Sequence, residues 1–142
     1  MPEAIIKKLK DRYAEKISVD ERSKSRVYVN VPDKTLALEV VKFLFRDCRL
    51  RFSIATGVDV REGIEMLYHM ADDRWGLRIS VRTLAKKPFP ELPSATAFMP
   101  AAEWIEREIH ELLGVNFTGH PNLKRLLLPD DWPEGRHPLR KG

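Results

Sequence analysis

Three neighbouring segments in the middle of the chain alternate apolar and polar residues with a period of two. They cover Leu50 to Val60, Glu65 to Ala71 and Gly76 to Leu84. A period of two directs every second side chain to the same face of a strand, so each segment is predicted to be a strand with one buried face. Asp72 to Gly76 has the composition of a turn, which predicts that the last two strands form an antiparallel hairpin.

The residues before this region add two helices and one strand. Residues 3–16 have a thin apolar stripe at helical spacing, and Arg26 to Val31 alternates like a strand. A second helix is predicted from Pro32-Asp33 to Asp47, with Asp33 as its N-terminal cap. The order α-β-α-β-β-β predicts an α+β fold in which helices pack on a mainly antiparallel sheet of about four strands.

Proline usage changes near residue 92. Eight of the ten prolines lie in residues 88–142. We therefore predict that residues 1–92 form the α+β core, and that residues 93–142 contribute one helix and an extended C-terminal arm to the same single domain. That helix is predicted over Ala101 to Leu113, with Gly114 as the residue that ends it.

The predicted helix over residues 101–113 has a charge on its apolar side. On a helical wheel the apolar arc contains Ala101, Ala102, Trp104, Ile105, Ile109, Leu112 and Leu113. The opposite, polar side contains Glu103, Glu106, Arg107, His110 and Glu111. Glu108 falls inside the apolar arc. Two interpretations remain open, because an unpaired carboxylate is costly to bury: Glu108 turns to solvent at the edge of the arc, or it forms a buried ion pair, inside the fold or at a subunit interface.

Residues 115–142, the predicted C-terminal arm, are apolar but contain four prolines, which exclude a long helix. The large apolar side chains are Phe117, Leu123, Leu126, Leu127, Leu128, Trp132 and Leu139. An extended arm cannot build a core of its own, so it must lie on its own domain or on another protein. Its basic residues favour an acidic partner surface.

No residue pattern indicates chemistry carried by this chain. Cys48 is the only cysteine, and His120 and His137 lie 17 positions apart without a closely spaced second ligand. No nucleophile and base stand at a spacing typical of an active site. We therefore predict no catalytic residue, no metal site and no cofactor.

Charge and hydropathy restrict the partners and the location. The formal net charge is +4, and acidic residues are interspersed with basic ones. The alternative function is a small basic nucleic-acid-binding module that uses Arg78 and Arg82 on an exposed strand face, near Tyr68 and Trp75. Apolar runs are too short to span a membrane, and residues 1–16 lack the apolar stretch of a secretory signal. We expect a cytosolic protein whose attachment to a membrane runs through a partner.

Linked motifs near the C-terminus resemble one known family. Glu106-Arg107-Glu108, then Glu111 and Gly114, resemble the ERE-x-x-[DE]-x-x-G segment of the 30 kDa subunit of complex I, the NADH:quinone oxidoreductase. The further matching residues are Phe117, Gly119, His120, Pro121, Leu123, Arg125, Leu126 to Pro129, Asp131, Trp132 and His137 to Lys141. Residues 110–114, HELLG, resemble more closely the energy-converting hydrogenase and sulfane sulfur reductase relatives of that family.

The resemblance implies a non-catalytic hydrophilic scaffold subunit of a membrane-bound respiratory oxidoreductase. It implies as partners a hydrogenase-like large subunit and an iron–sulfur small subunit, with membrane subunits reached indirectly and no nucleic acid. The implied location is the cytoplasmic face of the cell membrane. The residues expected at the subunit interface are Glu106, Arg107, Glu108, Phe117, His120, Pro121, Leu123, Arg125, Leu128, Trp132, His137, Leu139 and Arg140.

Overall fold

The computed structural model describes residues 2–121, Leu123 and residues 137–140. The helices are α1 (Pro2–Tyr13), followed by a short 3₁₀ turn (Ala14–Lys16), α2 (Lys34–Arg46) and α3 (Ala102–Leu113). The strands are β1 (Ser18–Glu21), β2 (Arg26–Asn30), β3 (Arg51–Val60), β4 (Gly63–Asp72), β5 (Leu77–Lys86), β6 (Glu91–Pro93) and β7 (Asn116–Thr118). The α+β prediction is confirmed.

Five strands form the main sheet, in the order β1-β2-β5-β4-β3. All neighbouring pairs are antiparallel except β2 and β5, where Val27 is opposite Ile79 and Val29 is opposite Val81. This pairing arises because α2 carries the chain from β2 to the far edge of the sheet, and two hairpins then bring it back. The predicted sheet lacked β1, a four-residue edge strand that is too short and too polar to show an alternating pattern.

The two faces of the sheet differ in what covers them. The covered face carries the side chains of Val29, Met66 and Val81, which are buried in the core beneath α2 and α3. Helix α2 begins as predicted, because the Asp33 carboxylate accepts hydrogen bonds from the backbone N–H groups of Thr35 (2.9 Å) and Leu36 (3.3 Å).

We call the other side the open face. It carries Arg26, Tyr28, Ile54, Thr56, Val58, Glu65, Leu67, His69, Arg78, Ser80, Arg82 and Leu84. Within the described residues no helix covers it, and Ile54 and Val58 are each about half exposed.

Helix α3 packs closely on the edge strand β3. A Cβ atom at Gly57 would lie only 2.6 Å from Cδ1 of Leu113 and 3.6 Å from Cγ2 of Ile109. The missing side chain at Gly57 therefore lets the helix approach the strand, which brings α3 into the same core as the sheet.

The close approach of β4 to β5 at Gly63, next to the β3–β4 turn, can be tested by substitution. A Cβ atom at Gly63 would overlap the backbone carbonyl of Ala85 on the neighbouring strand, which no side-chain rotation can relieve. We expect Gly63→Ala to lower the free energy of unfolding by about 1–3 kcal/mol. Urea denaturation of the full chain measures this. Arg61→Ala, in the same turn but exposed, is the matched control and should change stability by less than about 0.5 kcal/mol.

Candidate functional site

The segment before α3, which contains Pro88, Pro90, Pro93 and Pro100, is called the linker. Its strand β6 pairs with strand β7, which follows α3. Strands β6 and β7 are parallel, with Leu92 opposite Phe117, and both of these side chains are buried. The pairing continues where the N–H of Ser94 donates to the carbonyl of Thr118 (2.8 Å). Strands β6 and β7 were not predicted, because three residues are too few to show a period. Phe117 therefore belongs to the core of this chain.

Glu106 joins α3 to this linker. Its carboxylate accepts a hydrogen bond from the Ser94 hydroxyl at Oε1 (2.6 Å) and another from the backbone N–H of Ala95 at Oε2 (2.8 Å). The residue is only 1% exposed. Both oxygens are thus bound by the segment immediately after β6, and the carboxylate fixes the position of the linker on the helix.

His120, which follows β7, contacts the same helix α3. Its side chain is fully buried, and its Nε2 lies 3.0 Å from the carbonyl oxygen of Glu103 and 3.9 Å from Oε1 of Glu106. Because a carbonyl oxygen only accepts, Nε2 carries a hydrogen and donates it to Glu103. The Gly-His-Pro motif therefore has a structural role: it holds the start of the C-terminal segment on the first turn of α3.

We call the contacts of Glu106 with Ser94, Ala95 and His120 the junction. Burial changes the pKa values of groups at this junction. Burial raises the pKa of Glu106, and the hydrogen bonds from Ala95 and Ser94 and the nearby His120 act in the opposite direction. Tyr68, on the covered face of the sheet, has its pKa raised by burial and then by the negative charge of Glu106. The Tyr68 hydroxyl has no hydrogen-bond partner among the described residues.

The last described residues cover the C-terminal end of α3. His137 Nδ1 donates to the carbonyl of Glu111 (2.9 Å), the Leu139 N–H donates to Leu112 (2.9 Å), and Arg140 Nε donates to Leu113 (2.7 Å). Carbonyls at a helix end have no partner within the helix, and a cation there also interacts favourably with the helix dipole. The His-Pro-Leu-Arg segment is therefore a cap for α3.

Gly114 is the residue that permits this cap. It ends α3 with a left-handed φ of 79°, as predicted. A Cβ atom there would also lie 2.6 Å from Cδ2 of His137. Glycine is thus required both by the backbone conformation and by the close approach of the cap.

The predicted polar side of α3 is wrong for three residues. Glu106, Arg107 and Glu111 are buried, because the linker and the C-terminal segment cover a second side of the helix. A helical wheel with one apolar arc cannot show such a second buried side. Trp104, predicted in the apolar arc, is instead 60% exposed, and the Arg107 guanidinium lies 5.0 Å from its ring centroid.

Glu108 is partly exposed and forms no ion pair with any described residue, so an ion pair inside the described part of the fold is not formed. An ion pair of Glu108 at a subunit interface stays a prediction. The fold instead buries the carboxylates of Glu106 and Glu111, and hydrogen bonds from Ser94 and Ala95 hold that of Glu106.

The predicted interface residues occupy different environments. Glu106, Arg107 and Phe117 are buried within the chain, and Leu123 packs against its core. Pro121 and Leu139 are exposed, with Leu139 at 56%. Arg125, Leu128 and Trp132 lie outside the described residues. Contact of any of them with another subunit stays a prediction.

A metal-ligand cluster and a membrane-spanning helix are both absent from the described residues. These contain no group of three His, Cys, Asp or Glu side chains placed to hold a metal ion, and none of their helices is both long and apolar enough to cross a bilayer. The aromatic support for the nucleic-acid alternative is wrong at one position, since Tyr68 points into the core rather than towards Arg78 and Arg82.

The buried junction and the α3 cap hold the described parts of the C-terminal segment on α3. The fold and these contacts define a small α+β protein whose C-terminal segment packs on its own domain. The sequence matches the family described as "Respiratory-chain NADH dehydrogenase, 30 Kd subunit" over residues 29–142. The chain belongs to this family, which confirms the resemblance of its motifs.

Individual relatives come from more than one complex. A subunit of the NADH-quinone oxidoreductase of Moorella thermoacetica is 48% identical over 61% of this chain, and the chain spans 58% of that relative's length. Hydrogenase-4 component G of Escherichia coli is 34% identical over 98% of this chain but only 26% of its own length. A chain in the structure of the membrane-bound sulfane sulfur reductase, an archaeal respiratory membrane complex, is 26% identical with a TM-score of 0.83, covering 97% of this chain and 82% of that one.

Removing the Glu106 carboxylate should weaken the whole junction. In Glu106→Ala the Ala95 N–H and the Ser94 hydroxyl lose their acceptor in a buried place, so we expect a loss of about 1–3 kcal/mol in the free energy of unfolding. Glu108→Ala, two positions away and partly exposed, is the control and should cost less than about 0.5 kcal/mol. Equal losses in urea denaturation would contradict the assignment of the junction to Glu106.

The raised pKa of Glu106 predicts a pH dependence. The folded state holds the proton of this group more tightly than the unfolded state, so the contribution of Glu106 to stability is largest below the ordinary glutamate pKa. That contribution falls as pH rises through the window up to the raised folded value. The free energy of unfolding of the native chain minus that of Glu106→Gln should therefore decrease with rising pH in this window. A difference that increases with pH would mean that the hydrogen bonds outweigh burial.

Proposed function

We propose that this chain is a non-catalytic peripheral subunit of a membrane-bound oxidoreductase of the complex I-like or membrane-bound hydrogenase and sulfane reductase type. The observation that supports this most directly is the family match over residues 29–142. Relatives whose names place them in an NADH-quinone oxidoreductase and a hydrogenase share this fold region, so the common role is one that does not depend on a particular electron donor or acceptor.

The relative from Escherichia coli supports attachment to another polypeptide. The match to hydrogenase-4 component G takes up 26% of that protein, so the region equivalent to this chain is covalently joined there to a longer sequence. A covalent joining in one protein is consistent with stable association between separate chains in another. By resemblance, the partners proposed for this chain are a hydrogenase-like large subunit and an iron–sulfur small subunit, at the cytoplasmic face of the membrane.

The proposed docking element is the C-terminal segment held on α3. His120 anchors it near Glu103, and His137 anchors it near Glu111, so the anchors lie about 12 Å apart at 1.5 Å per helical residue. The sequence between them carries Leu126, Leu127, Leu128 and Trp132. We propose that these apolar side chains contact the large subunit.

Two exposed apolar side chains, one at each end of α3, are further candidates for contact with a partner. Trp104 lies in its first turn, and Leu139 lies on the cap at its last turn. Exposed apolar side chains near such an anchored segment favour a protein contact. We call these two residues the α3 docking surface. Trp104 was missed as a candidate from the sequence because its helical position suggested the core.

Affinity purification from the source cells tests both parts of the proposal. The tagged chain should co-purify with iron–sulfur, large and membrane subunits, and Leu139→Asp should lower their recovery about tenfold or more, since a carboxylate would be buried against the partner. The Leu139 side chain is exposed, so thermal unfolding of the isolated variant should match the native chain.

The matched control is Trp75→Asp, which changes an exposed aromatic residue in the β4–β5 turn and should leave recovery unchanged. Isolation of the native chain without partners would refute the subunit proposal. Normal recovery with Leu139→Asp would refute only the α3 docking surface.

A further inference from the structure

The open face of the sheet holds two arginines that lack a counter-ion among the described residues. Arg26 on β2 and Arg78 on β5 are opposite each other in the parallel register, and both are exposed. The other cations of this region differ, because Arg82 lies 3.6 Å from the carboxylate of Glu65 and Arg22 lies 2.7 Å from that of Asp20. The arginine pair therefore carries a positive charge that the described part of the chain does not balance.

A cavity on the open face extends from this arginine pair to the edge strand β3. It has a volume of about 200 Å³, and its lining includes Arg26, Arg78, His69, Ser80 and Ile54. His69 hydrogen-bonds with Ser80 Oγ (2.7 Å) and with Thr56 Oγ1 (3.1 Å), which fixes the imidazole in the floor of the cavity. The cavity is thus open, polar at its floor and cationic at one wall.

The electrostatic environment of the cavity favours an anion. Like charges on directly opposed residues of neighbouring strands destabilise a sheet. Burial lowers the pKa of His69, and the positive charges of Arg78 and Arg26 lower it further. A negative group placed between Arg26 and Arg78 removes the repulsion and is well matched to the planar forks of donors that guanidinium groups present.

We propose that this end of the open face binds a carboxylate side chain from an acidic segment of another protein. The carboxylate lies between Arg26 and Arg78, and an apolar side chain of the same segment lies on the half-exposed Ile54 of β3, which also lines the cavity. This surface is separate from the α3 docking surface, because α3 packs on the covered face. The proposal therefore does not require the function proposed above.

A protein fits this surface better than a nucleic acid does. Single strands of RNA or DNA gain much of their affinity from bases stacked on aromatic rings. Tyr28 is the aromatic side chain that the open face carries among the described residues, and its ring already has Arg22 at 5.3 Å and Arg82 at 4.9 Å from its centroid. Arginine is instead enriched at protein–protein interfaces, and the half-exposed Ile54 in the same cavity adds an apolar contact for another polypeptide.

Titration of the full chain with a short peptide of alternating glutamate and valine tests the proposal by NMR. We expect saturable binding that shifts the signals of Ser80 and His69, and that weakens about tenfold or more in Arg26→Gln/Arg78→Gln. Lys7→Gln/Lys10→Gln removes the same charge from the exposed side of α1 and should bind like the native chain. The reversed variant Arg26→Glu/Arg78→Glu should prefer the same peptide with lysine in place of glutamate.

Three results would overturn the proposal. Equal weakening in both glutamine double variants would mean that only net charge attracts the peptide. Tighter binding of single-stranded RNA than of the peptide, with a steep salt dependence, would identify a nucleic-acid surface. Binding of inorganic phosphate at the arginine pair with no binding of the peptide would identify a small-anion site.

Discussion

The buried carboxylate of Glu106 connects parts of the chain that lie far apart in sequence. It accepts hydrogen bonds from the linker at Ser94 and Ala95, lies on α3, and is close to His120 and Tyr68. A carboxylate in such a place is stable only while its hydrogen-bond donors are present, because a buried charge without partners is costly. The strand pair β6–β7, the position of α3 and the start of the C-terminal segment therefore depend on one another.

The described parts of the C-terminal segment have a structural role within the chain itself. Its first part completes the core through Phe117, and its last described part caps α3 through His137, Leu139 and Arg140. Residues that resemble the family motifs thus make contacts within this chain itself. Two groups of side chains are distinct: those turned inward that hold the segment, and the exposed Leu139 and Trp104, for which we propose a contact with a partner.

The two sides of the molecule offer different chemistry to a partner. The α3 docking surface is apolar at both ends of the helix, whereas the open face combines the Arg26 and Arg78 pair with half-exposed aliphatic side chains. Because α3 and the open face lie on opposite sides of the sheet, the two surfaces that we propose for binding do not overlap.

Local patterns in the sequence determined the elements whose cause is local. The alternation in β4 and β5, the Asp33 cap and the left-handed Gly114 each follow from a few neighbouring residues, and the α+β class follows from the order of the elements. In β3 the alternation did not predict the buried face, because Ile54 and Val58 are about half exposed whereas Ala55 is buried. The sequence also determined the family, since several of its motifs occur in this chain in the same order as in the family. Only the tertiary structure decided which charged residues of α3 are buried, because burial of Glu106 instead of Glu108 depends on the linker and the C-terminal segment, which cover a second side of α3. Likewise, the lone arginine pair depends on β5 returning beside β2, a register between distant strands that no local period records.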